Sequence, residues 1–328
     1  MTETQTPVQR RMDDSLKQMW VVFGVVIVLL ACQRLLVSHV DHAALSTWST
    51  IFVAIVVQST PFLVGGVLLA SVIATLLSER VVRRMVPANP ALGVPVAGLA
   101  GIALPGCECA SVPVASSLMS RGVAPAVALT FLLAAPAVNP VVLVSTAVAF
   151  PGRPEVVLAR FVASLLTSVL VGWLWLRLGG KVPMLNARAT HAHGAGATQR
   201  FLDNVRHDFV HAAGFLVLGA MLAAAVNTFV PRHVVDGVAG HVVLAVVTMA
   251  VFAFVVALCS EADAFVAASL TAFSDTAKLV FMVVGPAMDI KLASMEAGQF
   301  GRTFATRFVP LVLTVAVGSA CAIGWWLL

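Results

Sequence analysis

The chain has 328 residues, of which 60% are hydrophobic and only 11% charged, against a charged share of about 25% in a soluble domain. That excludes a soluble protein and makes the lipid bilayer its first partner. The net charge of +5 comes from Lys and Arg in the tail and between apolar runs, where cations orient a membrane protein, so no nucleic-acid partner is called for.

Residues 1–19 are polar and carry Arg10, Arg11 and Lys17. Residues 20–37 are apolar and just long enough, at about 1.5 Å per residue, to approach the roughly 30 Å bilayer core. A first span of the inner (plasma) membrane is expected here, with a cytoplasmic N-terminus. Leu29-Leu30-Ala31-Cys32 also has the form of a lipobox, and a cleaved signal is a rival reading, although no Ala-x-Ala site follows. Residues 48–77 form a second span containing Gln58 and Pro61, and the cluster Arg80, Arg83, Arg84 after it is expected to be cytoplasmic. Two long apolar segments follow at 92–119 and 123–150, the second broken by Pro136, Asn139 and Pro140; 156–178 is a further span. Residues 179–206, rich in Gly and Ala and holding Lys181, Arg188, Arg200 and Arg206, read as a flexible cytoplasmic linker. Apolar segments then recur at 209–230, 241–272, 276–295 and 304–328, the last closing on Trp325-Trp326. The expected fold is an all-α polytopic membrane protein: tail and first span 1–47, first repeat 48–178, linker 179–206, second repeat 207–328.

The stretch Pro105-Gly106-Cys107-Glu108-Cys109-Ala110-Ser111-Val112-Pro113 lies in the middle of the apolar run 92–119. Two prolines free backbone groups that lipid cannot satisfy, and a carboxylate between two sulfurs is costly at bilayer depth. A broken helix lining a protected cavity, half of a substrate site, is expected; a kinked, packed helix with small buried cysteines is the plainer alternative. The five cysteines, Cys32, Cys107, Cys109, Cys259 and Cys321, all lie in apolar runs, and their odd number reads as thiols rather than a disulfide framework.

Aligning Cys107 with Cys259 also aligns Val114-Ala115 with Val266-Ala267, Ser117-Leu118 with Ser269-Leu270 and, after a two-residue gap, Pro136-Ala137 with Pro286-Ala287. Asn139 then falls opposite Asp289. The second half thus repeats the first. If residues 80–84 and the linker are both cytoplasmic, an even number of crossings separates them, yet three apolar segments lie between. One segment must be re-entrant or broken, and the halves become inverted repeats whose broken helices meet at the midplane, as in many secondary transporters. Nine full spans with parallel repeats are the alternative, which would put the cations of the linker outside.

Four motifs resemble those of a known family: Pro-Gly-Cys-Glu-Cys-Ala-Ser-Val-Pro-Val from Pro105, Phe-Leu-Leu-Ala-Ala-Pro-Ala-Val-Asn-Pro from Phe131, Cys-Ser-Glu-Ala-Asp-Ala-Phe-Val-Ala from Cys259 and Val-Gly-Pro-Ala-Met-Asp-Ile-Lys from Val284. They are similar to the YraQ-type predicted permeases, the family that includes the organoarsenical efflux permease ArsP. The resemblance covers residues 58–328. It implies an inner-membrane permease with a substrate site at Cys107, Cys109, Asn139, Cys259, Asp263 and Asp289. Some relatives are encoded with a second small membrane protein, so the resemblance also allows a second small subunit as partner.

Three thiols beside carboxylates suit a soft or borderline guest, because Cys selects Zn(II) and Cu(I) whereas carboxylates alone suit Mg or Ca; trivalent arsenicals are thiophilic in the same way. Glu108, Glu261 and Asp263 add negative charge that suits a cation. The expected cargo is therefore a metal ion or metalloid species, with Cys107, Cys109, Cys259 and Glu261 as ligands; a metal would be substrate, and no resident cofactor is expected. An organoarsenical efflux permease is the alternative. The same carboxylates could also carry protons. Asn139 and Asp289 fit either a cation site or half-helix caps, and Lys291 either neutralises Asp289 or snorkels to the interface. Arg160 needs a partner that the sequence does not name. His207 and His211 share a helical face at the spacing of a metal pair, and His191 with His193 repeats the idea more weakly. No Gly-x-x-x-x-Gly-Lys-Ser/Thr motif is present, so a secondary transporter is expected rather than an enzyme. An intramembrane thiol oxidoreductase on Cys107 and Cys109, or an assembly subunit, are the remaining readings.

Overall fold

Prolines and short polar side chains decide where the helices of this chain begin. The computed structural model describes residues 42–76, 87, 89–103, 108–178, 197–229 and 242–328, and among these residues it holds helices and no strand. In order they are α1 (His42–Leu76), α2 (Pro90–Ala100, running into a 3-10 turn at Gly101–Ala103), α3 (Glu108–Ser120), α4 (Pro125–Ala134), α5 (Pro140–Ala149), α6 (Pro154–Arg177), α7 (Ala197–Phe229), α8 (Val242–Val256), α9 (Asp263–Ser269), α10 (Asp275–Ala287), α11 (Ile290–Phe300) and α12 (Arg302–Leu327). Helices α2, α4, α5 and α6 start on proline, where the missing N–H would have had no helical partner anyway. Asn89, Asn139, Ser274 and Asp289 cap α2, α5, α10 and α11 by accepting from a backbone N–H two or three residues on.

Helices α1, α6, α7 and α12 are long and apolar enough to cross a bilayer. The eight between them are short, from 7 to 15 residues, below the roughly 20 needed to span. They fall in pairs, each pair being one apolar segment of the sequence interrupted partway: α2 and α3, α4 and α5, α8 and α9, α10 and α11. Both halves therefore run long helix, broken helix, broken helix, long helix. Packing follows the same order, α2 on α4 as α8 on α10, α4 on α6 as α10 on α12, and α5 on α6 as α11 on α12. Residues 51–328 form one compact unit, so the two expected repeats share a body.

The contacts also give directions. Helices α3 and α11 run the same way, because Glu108 meets Lys291 at one end and Ser116 meets Gln299 at the other, eight residues further along each. Helix α1 follows α3, with Gly66 against Ala110 and Ala70 bonded to Ser117. Helix α7 opposes α11, since Gly219 lies on Lys291 and Phe215 on Gly298. It follows that α1 and α7, the leading helices of the two halves, run in opposite directions. The start of α6 meets the start of α10 through Arg153 and Asp275, and the start of α10 meets the end of α12 through Thr276 and Gly324. The closing helices α6 and α12 are thus opposed as well.

The surface is apolar where a soluble protein is polar: Val57, Val144, Val148, Leu158, Leu218, Val243, Val247 and Val251 all point outward. Glu108, Arg160, Lys291 and Glu296 are wholly buried. Polar inside and greasy outside is the distribution that lipid demands. The exposed Trp325 and Trp326 at the end of α12 suit the membrane–water interface. One expectation is shifted: residues 197–206, read as linker, are the opening turns of α7. Ala, Gln, Arg and Leu without Gly or Pro carry the helix back past its apolar part. The expected span at 20–37, the cluster at 80–84, and His191 and His193 lie outside the described residues.

Candidate functional site

Four half-helices restart near the centre of the fold, and each restart carries a polar residue where the backbone N–H groups are unpaired. Helices α3 and α9 begin on the acids Glu108 and Asp263; α5 and α11 begin on the caps Asn139 and Asp289. An anionic or acceptor group at a helix N-terminus satisfies free donors and meets the positive end of the dipole. Across the halves, α3 packs on α11 and α5 packs on α9. The chain reaches α9 through Ala257, which has φ +51°, a left-handed conformation that costs a non-glycine residue about 1 kcal/mol or more. It turns α8 sharply into Leu258, Cys259 and Ser260.

Lys291 sits between two carboxylates, its Nζ 2.5 Å from Glu108 Oε1 and 3.7 Å from Asp289 Oδ2. All three are fully buried. The other oxygen of Asp289, Oδ1, accepts from Leu292 N at 2.6 Å, so one carboxylate both caps α11 and faces the lysine. Asn139 likewise caps its helix, accepting from Val142 N at 3.0 Å while its amide donates to Ala135 O, but it carries no charge. The aligned positions Asn139 and Asp289 are thus equivalent in the backbone and different in charge.

The second pair is Arg160 with Asp263, at 2.8 Å. The guanidinium also donates to Thr146 Oγ1 and to the Ser260 carbonyl, at 2.8 and 2.9 Å. This supplies the partner that the sequence did not name. Ser260 ties the two pairs together, because its hydroxyl donates to Glu108 Oε2 at 3.4 Å while its carbonyl receives Arg160. Asp289, Lys291, Glu108, Ser260, Arg160 and Asp263 make one continuous polar chain through the body, with three carboxylates against two cations.

The thiols lie against this chain. Cys109 and Cys259, one from each half, are buried and unbonded to each other, and both are electrostatic neighbours of Lys291. Cys259 also feels Glu108, Cys109 and the half-buried Glu261. Of the expected site residues, Glu108, Cys109, Cys259, Asp289 and Glu261 thus share one neighbourhood, Asp263 joins through Ser260, and Asn139 serves as a cap. Cys107 lies outside the described residues. Among the described residues no three His, Cys, Asp or Glu side chains converge as metal ligands would. His207 lies on α7 away from these groups, and Asp208 lines a small cleft with Ser116, Phe215 and Gln299.

Sequence reasoning passed over Ser260 and Glu296. Nothing in the sequence marks Ser260 as a bridge. Glu296 does carry a signal: it stands midway between Leu292 and Phe300, four residues from each, on a stripe that is wholly buried.

A family model described as a predicted permease, ArsP_1, matches residues 44–324. The chain is 33% identical over 276 residues to the UPF0718 protein YcgR of Bacillus subtilis, covering 82% of this chain and 92% of that one. It is 28% identical over 267 residues, 79% and 89% of the two chains, to a Streptococcus mutans protein provisionally named a two-component membrane permease complex subunit. No solved structure matches the chain. With its apolar exterior, broken helices and buried charges, this chain is a multi-pass membrane protein that belongs to the ArsP_1 family of predicted permeases.

Proposed function

We propose that this chain is the transporting subunit of a secondary permease of the inner membrane, and that its cargo is a thiophilic solute, a metalloid or soft metal species, that passes between Cys109 and Cys259. The observation that carries this reading is that those two buried thiols, one from each half, lie within electrostatic reach of each other and of the Glu108–Lys291 pair at the restart of broken helices. Soft sulfur selects soft guests. Lys291 already faces both Glu108 and Asp289, so the carboxylates have less to offer a bare divalent cation and the sulfurs choose the guest. That favours a metalloid of low charge over a hard ion.

Opposed directions of α1 and α7, and of α6 and α12, support the inverted-repeat arrangement in which two related halves rock about a shared site. The name of the Streptococcus mutans relative supports a second membrane subunit. The test is uptake and release by vesicles containing the full chain, with trivalent arsenical, Zn(II) and Cu(I) offered separately and content read by elemental mass spectrometry. One of these should be transported, and Cys109→Ala with Cys259→Ala should reduce that transport at least tenfold. Unchanged transport by the double variant removes the thiols from the path and ends this reading.

A further inference from the structure

Glu296 has no place in the polar chain described above. It is wholly buried on α11, and neither carboxyl oxygen has a hydrogen-bond partner among the described residues. Its neighbours along the stripe are Leu292 and Phe300, both fully buried, and Phe300 packs edge-on against Phe304 of α12. A carboxylate in such a setting is unpaired charge in an apolar environment, which is strongly disfavoured, whereas the neutral acid is tolerated. The elements packed on α11 are α7, α12 and α3. They carry Arg200, Asp203, Arg206, His207, Asp208 and His211; Arg302, Arg307 and Cys321; and Glu108 and Cys109. On the side of α11 itself stand Lys291 and Asp289. The group among these that acts on Glu296 is Asp289, a like charge.

Helix geometry places the two on one side of α11. Asp289 and Glu296 are seven residues apart, two turns or about 10 Å along the axis, and helical side chains lean towards the N-terminus. Glu296 therefore lies on the same side of α11 as the residue that caps that helix. Asp289 Oδ2 has no hydrogen bond among the described residues either, its contact being the longer one to Lys291.

We infer that Glu296 is a proton-binding site that sets how Lys291 divides between Glu108 and Asp289. With a proton on Glu296, the carboxylate that acts on Asp289 is Glu108, across the shared ammonium, and the ammonium stays on Glu108, as the 2.5 and 3.7 Å separations have it. When the proton leaves, a second negative charge faces Asp289 and draws the ammonium away from Glu108 towards that pair. Glu108 and the thiols next to it then lose their cation. Proton occupancy at Glu296 is thereby transmitted to the cargo site through one lysine that has two carboxylate partners. The coupling rests on the permease reading given above, but the protonation of Glu296 does not.

Infrared difference spectroscopy on the full chain in lipid nanodiscs tests the protonation directly and needs no cargo. At neutral pH the wild type should show the carbonyl band of a protonated carboxylic acid, and an alkaline step should remove it. The band should be absent in Glu296→Gln and shifted in frequency in Glu296→Asp. A wild type without such a band, or a Glu296→Asp variant whose band is unshifted, overturns the inference; both remain readable if Glu296→Gln fails to fold. Loss of the band on adding sodium at constant pH also overturns it, in favour of a cation site. If the band behaves as expected, the pH dependence of transport should be flat in Glu296→Gln and retained in Glu296→Asp. A profile unchanged in Glu296→Gln would separate Glu296 from coupling. Failure of the Cys109 and Cys259 variants to alter transport would instead count against the cargo site alone.

Discussion

Two buried ion pairs join the halves of this protein, and they are built for different work. Arg160 is held by three acceptors on two elements and the break between α8 and α9: Thr146, the Ser260 carbonyl and Asp263. A planar guanidinium with a fixed fork of donors suits such a clamp. Lys291 is a point charge on a flexible stem with two carboxylates at unequal distances. The first pair fixes how α5, α6 and α9 sit. The second has an alternative partner within reach, and it is the one beside the thiols. One architecture, a half-helix starting on an acid that meets a cation from the other half, thus serves as a rivet on one side and, in the reading proposed above, as a movable contact on the other.

That contrast is open to attack, most forcefully at the rivet. Arg160→Met should cost about 3–5 kcal/mol, because Asp263 is left buried and uncompensated, and should lower the thermal unfolding midpoint in detergent sharply. Arg160→Lys should recover little, since one ammonium cannot serve all three acceptors. Replacing both partners, Arg160→Met with Asp263→Leu, should restore much of the stability. At Lys291 the signature is different. Lys291→Met combined with Glu108→Gln and Asp289→Asn, which leaves no buried carboxylate without its cation, should fold with a midpoint near that of the wild type and yet fail to transport; recovery of transport in that triple variant would make the second pair a rivet too.

A smaller effect sharpens the comparison from outside the pairs. Gly219 lets α7 lie on the backbone of α11 at Lys291, and a Cβ there would stand 2.8 Å from the Lys291 Cα; Gly66 does the same for α1 against Ala110. Gly219→Ala should destabilise by about 1–3 kcal/mol through overpacking, with a larger loss of transport than Gly66→Ala, because it pushes on the movable lysine. The smallest change is expected at the surface, where Arg153 bridges Glu155 and Asp275 while about 40% exposed. Arg153→Ala should leave the unfolding midpoint within error at physiological salt, as solvent screens such pairs.

Much of this fold was legible because its interruptions are written in residues with few other uses. Pro136, Asn139 and Pro140 announce one break and Pro286 with Asp289 its counterpart, so the order of long and broken segments could be read from the internal repeat. The acids were legible too, since a carboxylate in an apolar run has to be explained. Their partners were not. Glu108 and Lys291 are 183 positions apart, and Arg160 and Asp263 are 103. No local pattern links residues at such distances; only the packing of α3 on α11 and of α5 and α6 against α9 does. Glu108 was expected to offer its charge to a cation, and Lys291 to answer Asp289 or the membrane surface. Once the helices are assembled, the lysine meets both acids. Glu296 escaped for the opposite reason, because the apolar segment read at 276–295 stops one residue short of it, and its stripe of Leu292, Glu296 and Phe300 shows only at four-residue spacing across that boundary.

The halving of the helices has an electrical consequence. Helices α3 and α11, of 13 and 11 residues, are about 16–20 Å long. They run side by side from the Glu108–Lys291 contact, and if their far ends mark one face of the membrane, that contact stands at roughly half the depth of a 30 Å core. A unit charge moved between that contact and either face crosses about half of the membrane voltage, worth about 1 kcal/mol per 100 mV. Any step that shifts a charge at this seam therefore draws on the membrane potential as well as on the gradient of the cargo, and its rate should follow voltage even when the cargo itself is neutral.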